Sequence, residues 1–233
     1  MKFILTTIAI AVALSTAGCS ASPPTGDGDN VTAATPATPT PVAAHPTTSV
    51  ATPEVAAPQL QAALRALWQG HVEQTRAYAM AVKANDQTQA ATAADGVVAN
   101  ATSIADAVAG FYGPAAGKEM LRLLGGHWGG VKALTDAQAK ADQAGVQKAM
   151  DGLIANAADI AKFLSGANPN LPEDAVRGLL VAHGGHHAAQ VQQIMAGDIT
   201  GEATTWQAMQ AHMVVISDAL AGAIAKQFPD KAS

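Results

Sequence analysis

Cysteine, aromatic side chains and charged side chains are all scarce in this chain of 233 residues. The single cysteine, Cys19, excludes an internal disulfide framework and any metal site built from several cysteines. Charged residues make up 13% of the chain, and the net charge of −5 argues against nucleic-acid binding, which requires a basic surface. Only 4% of the residues are aromatic although 49% are hydrophobic, so the core must consist mainly of small side chains at close spacing.

The chain also lacks the motifs of common catalytic and cofactor sites. It has no HExxH, no nucleophile–base motif, no glycine-rich phosphate loop and no Cys-x-x-Cys-His for covalent haem attachment. Di-iron bundles of the hemerythrin or ferritin type pair histidines with acidic residues at fixed helical spacings. Those pairs are absent, since Thr75 stands four residues after His71. The sequence therefore gives no support for an enzyme.

The N-terminus has the pattern of an export signal. Lys2 is followed by an apolar run from Phe3 to Leu14, which is too short for a stable membrane span, and residues 1–18 therefore predict a signal peptide. The small residues 15–18 stand directly before Cys19, as in bacterial lipoproteins that are lipidated on this cysteine. We expect an exported protein anchored in the cell membrane by this lipid, facing the periplasm or the extracellular side. A plain secretory signal with cleavage nearby is the alternative.

A proline-rich segment follows the signal. Residues 20–58 hold eight of the 12 prolines, interspersed with Thr and Ala, and contain no Lys or Arg. Such a segment cannot bury enough surface to offset its ordering entropy, and repeated proline favours an extended chain. We therefore predict a lipidated cysteine and disordered tether over residues 19–52, followed by a globular domain over residues 53–230.

From about residue 53 onward, apolar residues recur at helical spacings of three, four and seven, which predicts six helices. The first is expected to begin at Thr52-Pro53-Glu54. Turn signals that end helices occur at Asn85-Asp86, Gly113-Pro114, Asn168-Pro169-Asn170, Gly197-Asp198 and Pro229. Because short connections favour antiparallel neighbours, we predict an all-α antiparallel bundle of about six helices, or of four long helices with a flanking pair.

A shift of 56 residues superposes these helices as three copies of one helical hairpin. The matching sets are Leu67, Leu123 and Leu179; His71, His127 and His183; Asp86, Asp142 and Asp198; Asn100, Asn156 and His212. A repeated hairpin cannot bury its apolar face alone, so the three copies must stack against one another.

The repeat places polar residues near the middle of each helix, on or next to its apolar stripe. They are His71, Asn100, His127, Asn156, His183 and His212, with His187 one turn after His183 on the same face. Mid-helix positions of an antiparallel bundle lie at one height, so these side chains are expected to form one inward-facing layer. His186 is expected to point to one side of this face.

Two functions fit such a layer. The first is a metal or cofactor site, with His71, His127, His183 and His212 as ligands supported by Asn100, Asn156 and His187. Imidazole suits copper, zinc and iron, and haem is a further candidate. The second is a structural or pH-sensing polar layer in a lipoprotein that contacts an envelope protein partner. Neither interpretation fixes the oligomeric state.

Four segments resemble a group of uncharacterised bacterial exported helical-bundle proteins. The segments are Leu67-Trp68-x-x-His71-Val72-x-x-Thr75-Arg76; Tyr112-Gly113-x-x-Ala116-Gly117 with Leu123-Leu124-x-x-His127; Asn156-Ala157-x-Asp159-Ile160-Ala161-x-Phe163-Leu164; and Gln227-Phe228-Pro229-Asp230-Lys231. The likeness covers about residues 60–231 and departs at Gln74, where the group is expected to have Trp. It implies a helical fold with inward histidines and implies no activity.

Overall fold

The computed structural model describes residues 57–232, and this part of the chain is helical without any strand. The helices are α1 Pro58–Lys83, α2 Gln87–Tyr112, α3 Pro114–Ala139, α4 Gln143–Ala167, α5 Glu173–Ala196, α6 Ile199–Gln227 and the short α7 Pro229–Ala232. The predicted all-α fold is confirmed. The signal peptide, the lipidation of Cys19 and the tether of residues 19–52 lie outside the described residues and stay predictions.

The helix ends follow local sequence. Asp86, Asp142 and Asp198 each cap the helix that follows, since each side chain accepts a hydrogen bond from the backbone N–H three residues later. The predicted start of α1 at Pro53 is wrong. Ala57 has a non-helical backbone (φ −147°, ψ 74°), and the helix begins at Pro58, where proline supplies a favourable first-turn φ.

The six long helices form a closed ring of three hairpins. Each helix packs against the next along the chain, and α6 returns to pack against α1. The odd-numbered helices α1, α3 and α5 also contact one another, so they form the inside of the ring, and the even-numbered helices lie between them on the outside. Three similar hairpins therefore surround one central axis, and in this arrangement the copies of the 56-residue repeat bury their apolar faces against one another.

The core is built from equivalent positions of the inner helices. Leu64, Met120 and Val176, which are 56 residues apart, are all buried in one apolar cluster. Small residues allow close packing here. A Cβ on Gly117 would lie 2.8 Å from the backbone oxygen of Ala105, so α2 and α3 approach more closely than any larger residue would permit.

Of the described helices, α6 alone is long and apolar enough to cross a membrane. It packs against α1 and α5, and its Met209, Met213 and Ile216 are buried in the core of the bundle. Part of the apolar surface of α6 is therefore explained by its packing into the core.

Candidate metal centre

Four histidines from the three inner helices meet at the centre of the bundle: His71 of α1, His127 of α3, and His183 and His187 of α5. All four are buried, with exposed fractions of 1–7%. His71, His127 and His183 are equivalent positions of the repeat, so the approximate threefold arrangement brings them to the axis. His187 joins them because residues four apart share a helix face.

The spacing of the four imidazoles suits one small ion. One ring nitrogen from each histidine lies within 4.8 Å of the others, and the Nε2 atoms of His183 and His187 are 3.0 Å apart. The ring centroids are separated by 4.4–5.9 Å. Four imidazoles bound tetrahedrally to one ion at a metal–nitrogen distance of about 2 Å would have centroids about 5.2 Å apart. The observed centroid distances lie on both sides of this value.

Half of the ring nitrogens in this cluster lack a partner. Both nitrogens of His71, Nε2 of His127 and Nδ1 of His183 are buried without any hydrogen bond within residues 57–232. A buried polar atom left unpaired costs on the order of 1–3 kcal/mol, and such atoms are rare in native proteins. These buried nitrogens are therefore open to an ion or to a bound water molecule.

The histidines of the cluster are neutral at physiological pH. Burial, reinforced by the charge of His127, lowers the pKa of His71 from 6.5 to about 3. Burial lowers the pKa of His127 to about 4, and the amide of Asn156 acts in the opposite direction. The pKa values of His183 and His187 are well below 6.5 because of burial and then the neighbouring histidines. Neutral imidazole is the form that binds metal ions.

His212, a predicted ligand, lies outside this group. Its Nε2 is 2.9 Å from the backbone oxygen of Leu179, and its ring packs against His186 at a centroid distance of 5.2 Å. The predicted layer wrongly included His212 among the ligands. Because α6 belongs to the outer ring, its mid-helix residue faces α5, the inner helix of the same hairpin, and does not reach the axis.

Asn100 and Asn156 take the same position as His212 in the other two hairpins. Asn100 donates from Nδ2 to the oxygen of Leu67 at 2.9 Å, and Asn156 donates to the oxygen of Leu123 at 3.0 Å. Each accepting residue precedes a cluster histidine by four positions. These three contacts tie each outer helix to its inner partner at the height of the histidines, so Asn100 and Asn156 position the inner helices.

His187 is a full member of the cluster, whereas the sequence pattern suggested a supporting position. The repeat obscured its role, because the equivalent residues in the first two hairpins are Thr75 and Val131. The available signal was the pair His183-x-x-x-His187, which places two imidazoles on one helix face. No carboxylate or thiolate belongs to the cluster in the described part of the chain.

The short separations bear on which cofactor fits. Centroids 4.4–5.9 Å apart leave room for an ion between the rings and no room for a macrocycle such as haem. The geometry therefore favours an ion over haem.

A charged network borders the cluster on the α5–α6 side. Glu202, which is 6% exposed, accepts hydrogen bonds from Arg76 at 2.6 and 2.8 Å and from Gln190 at 3.0 Å. The Arg76 guanidinium holds the pKa of Glu202 below its ordinary value and also stacks over Trp206 at 4.9 Å. This network joins the first hairpin to the third, one turn beyond His187.

No family model, curated protein or solved structure matches the chain. The resemblance to bacterial exported bundle proteins stays a prediction, and the geometry of the four histidines carries the functional conclusion.

Proposed function

We propose that this bundle binds one transition-metal ion at His71, His127, His183 and His187. The observation that carries the proposal is the convergence of four buried, neutral imidazoles whose nitrogens lie within 4.8 Å of one another. An ion at their centre would bond one nitrogen of each ring, including one of the two nitrogens of His71 that lack a partner among the described residues.

The ligand chemistry narrows the choice of metal. A site made only of imidazole nitrogens does not suit Mg²⁺ or Ca²⁺, which prefer oxygen ligands. It suits zinc and copper, and the near-tetrahedral spacing is that of Zn²⁺ and Cu⁺ sites. Four protein ligands fill the coordination shell of such an ion, so the site would hold a metal for structure, storage or transfer and would leave no position for a substrate.

The same observations disfavour a purely structural polar layer. Such a layer is stable only when its polar groups bond to one another. Within the cluster, the described residues provide one hydrogen bond, between His183 and His187, while His71 has none. A layer selected for hydrogen bonding would be expected to pair these atoms.

The proposed setting is the cell envelope. The signal-like residues 1–18 and the position of Cys19 support an exported lipoprotein whose domain faces the periplasm or the extracellular side. A Cys19→Ser variant tests this: it should lose incorporation of a labelled fatty acid and partition away from membranes. Equal fatty-acid labelling of the Cys19→Ser variant and the unmodified protein would reject the lipid anchor.

Metal titration tests the central proposal. The purified chain should bind one tight equivalent of Zn²⁺ or Cu⁺, and His127→Gln and His183→Gln should each abolish this tight binding. Thr135→Val is the matched control, because Thr135 is also buried on α3 and Val191 is its equivalent in the third hairpin. Absence of stoichiometric binding by the unmodified chain would overturn the proposal.

A further inference from the structure

The third hairpin carries histidine at three positions where the first two carry other residues. His186 replaces Gln74 and Gly130, and His187 replaces Thr75 and Val131. The third position is His212, where the other two copies have asparagine. The substitutions lie together in space, since His186 and His187 are adjacent and His212 packs on His186. His187 completes the buried cluster, which leaves His186 and His212 to be explained.

His186 and His212 form a pair at the surface. Their ring centroids are 5.2 Å apart with planes inclined at 54°, and both side chains are half-buried, so solvent reaches them. The separation equals the value of about 5.2 Å expected for two imidazoles on one tetrahedral ion.

The hydrogen bond of His212 leaves its other ring nitrogen available for a metal ion. A backbone carbonyl only accepts hydrogen bonds, so the 2.9 Å contact with Leu179 requires the proton on Nε2 of His212. The Nδ1 lone pair is then free. Histidines that bind metals commonly donate their other ring N–H to a carbonyl in this way, which fixes the tautomer.

The outer pair is coupled to the buried centre. His186 is the chain neighbour of His187. His212 contacts the backbone oxygen of Leu179, which precedes His183 by one helical turn on α5. An ion held by His186 and His212 is therefore on the same hairpin as His183 and His187, the two α5 histidines of the centre.

We infer that His186 and His212 form a second, weaker metal site at the surface, from which the ion passes to the buried histidine centre. This inference rests on the proposed function of the buried centre. Two imidazoles hold an ion less tightly than four, so an ion can leave the outer pair. Holding it nearby raises its effective concentration at the centre.

The test is Cu²⁺ loading of the full chain, followed by tryptophan fluorescence. Trp68 lies edge-on to His71 at 6.1 Å, so an ion at the centre should quench it. The double variant His186→Gln/His212→Asn introduces residues that the first hairpin already has at these positions. It should retain one tight equivalent, lose the weak second equivalent, and load at least roughly tenfold more slowly.

A second variant separates the two sites. His187→Thr should lose the tight equivalent and keep the weak one. A double variant that loads at the rate of the unmodified chain with the same number of equivalents would overturn the inference. An unmodified chain that binds only one weak equivalent, lost in the double variant, would reject the buried centre and the loading route together while retaining the surface site.

Discussion

The third hairpin, α5–α6, and the first two hairpins have the same backbone plan and different chemistry. All three have the aspartate cap, a left-handed residue before it, and a side chain from the outer helix bonded to an inner carbonyl. The third alone adds His186, His187, Gln190 and Glu202, where its counterparts have mostly apolar or small residues. One hairpin therefore supplies most of the polar groups around the centre.

The comparison separates residues that hold the helices together from residues that add metal-binding nitrogens. His212 makes the same contact to a leucine carbonyl as Asn100 and Asn156, so the change to histidine keeps the scaffold bond and adds a free nitrogen. The threefold layout brings three histidines to the axis, and the departures from it complete a four-ligand set.

Acid should have the largest effect on the stability of the protein, because cluster histidines lie both in the third hairpin and in the first two. The cluster histidines have pKa values near 3 or 4, or well below 6.5, when folded, and about 6.5 when unfolded. Below pH 6.5 the unfolded chain binds more protons, so stability is complete above pH 6.5 and is lost as pH falls. Each histidine should contribute a loss of roughly 1 kcal/mol per pH unit in the metal-free protein.

Urea unfolding of the metal-free protein at pH 7.5, 6 and 5 measures this loss. His187→Thr should make the decline shallower by about one histidine's share. A stability that is flat from pH 7.5 to 5 would show that the folded histidines titrate as they do in the unfolded chain, as expected of a hydrated cluster, and would contradict the prediction.

Replacing His187 with the residue of the first hairpin should have the next largest effect. His187→Thr removes one of four ligands, so affinity for Zn²⁺ or Cu⁺ should fall by more than about 100-fold, exceeding the loss typical of supporting residues. A competition titration with a chromogenic chelator measures the change. His212→Asn is the control and should leave this affinity within about threefold. Equal losses in both variants would return His212 to the ligand set.

The Glu202 network offers a third test of how the third hairpin differs from the first two. Glu202→Val introduces the residue that the second hairpin has at Val146 and leaves Arg76 without its partner. Arg76 is 29% exposed, so the loss should be about 2 kcal/mol, below the 3–5 kcal/mol of fully buried pairs. Glu119→Ala breaks the exposed pair with Arg122, which solvent screens, and should leave the free energy of unfolding nearly unchanged in denaturant unfolding. If Glu202→Val and Glu119→Ala destabilised the protein equally, the Glu202–Arg76 pair would behave as an exposed ion pair and this prediction would be wrong.

Much of the fold follows from sequence periodicity. The 56-residue shift, the aspartate caps and the proline and glycine stops predict six antiparallel helices and bring His71, His127 and His183 together. These features depend on local backbone preferences and on burial of one helix face, which a single sequence displays.

The fourth ligand could not be predicted in the same way. Whether His187 or His212 completes the set depends on which helices line the axis, and that follows from how three hairpins close into a ring. Spacing along one helix does not contain this information. The start of α1 was also missed, because Pro53 and Pro58 both suit a helix start and the sequence pattern does not choose between them.

The smallest expected effect concerns the turn before each cap, where the three hairpins have Asn85, Ala141 and Gly197 at φ 54–75°. A left-handed backbone costs alanine roughly 1–2 kcal/mol and costs glycine little, although glycine loses more entropy on folding. Ala141→Gly should therefore stabilise the protein by about 0.5 kcal/mol, and Gly197→Ala should destabilise it by about 1 kcal/mol. Thermal unfolding of both variants and of their double mutant measures these changes. The two effects should add, because the turns belong to different hairpins. If Gly197→Ala costs far more than Ala141→Gly gains, the third turn is more constrained than the second, and the hairpins would differ in backbone as well as in side chains.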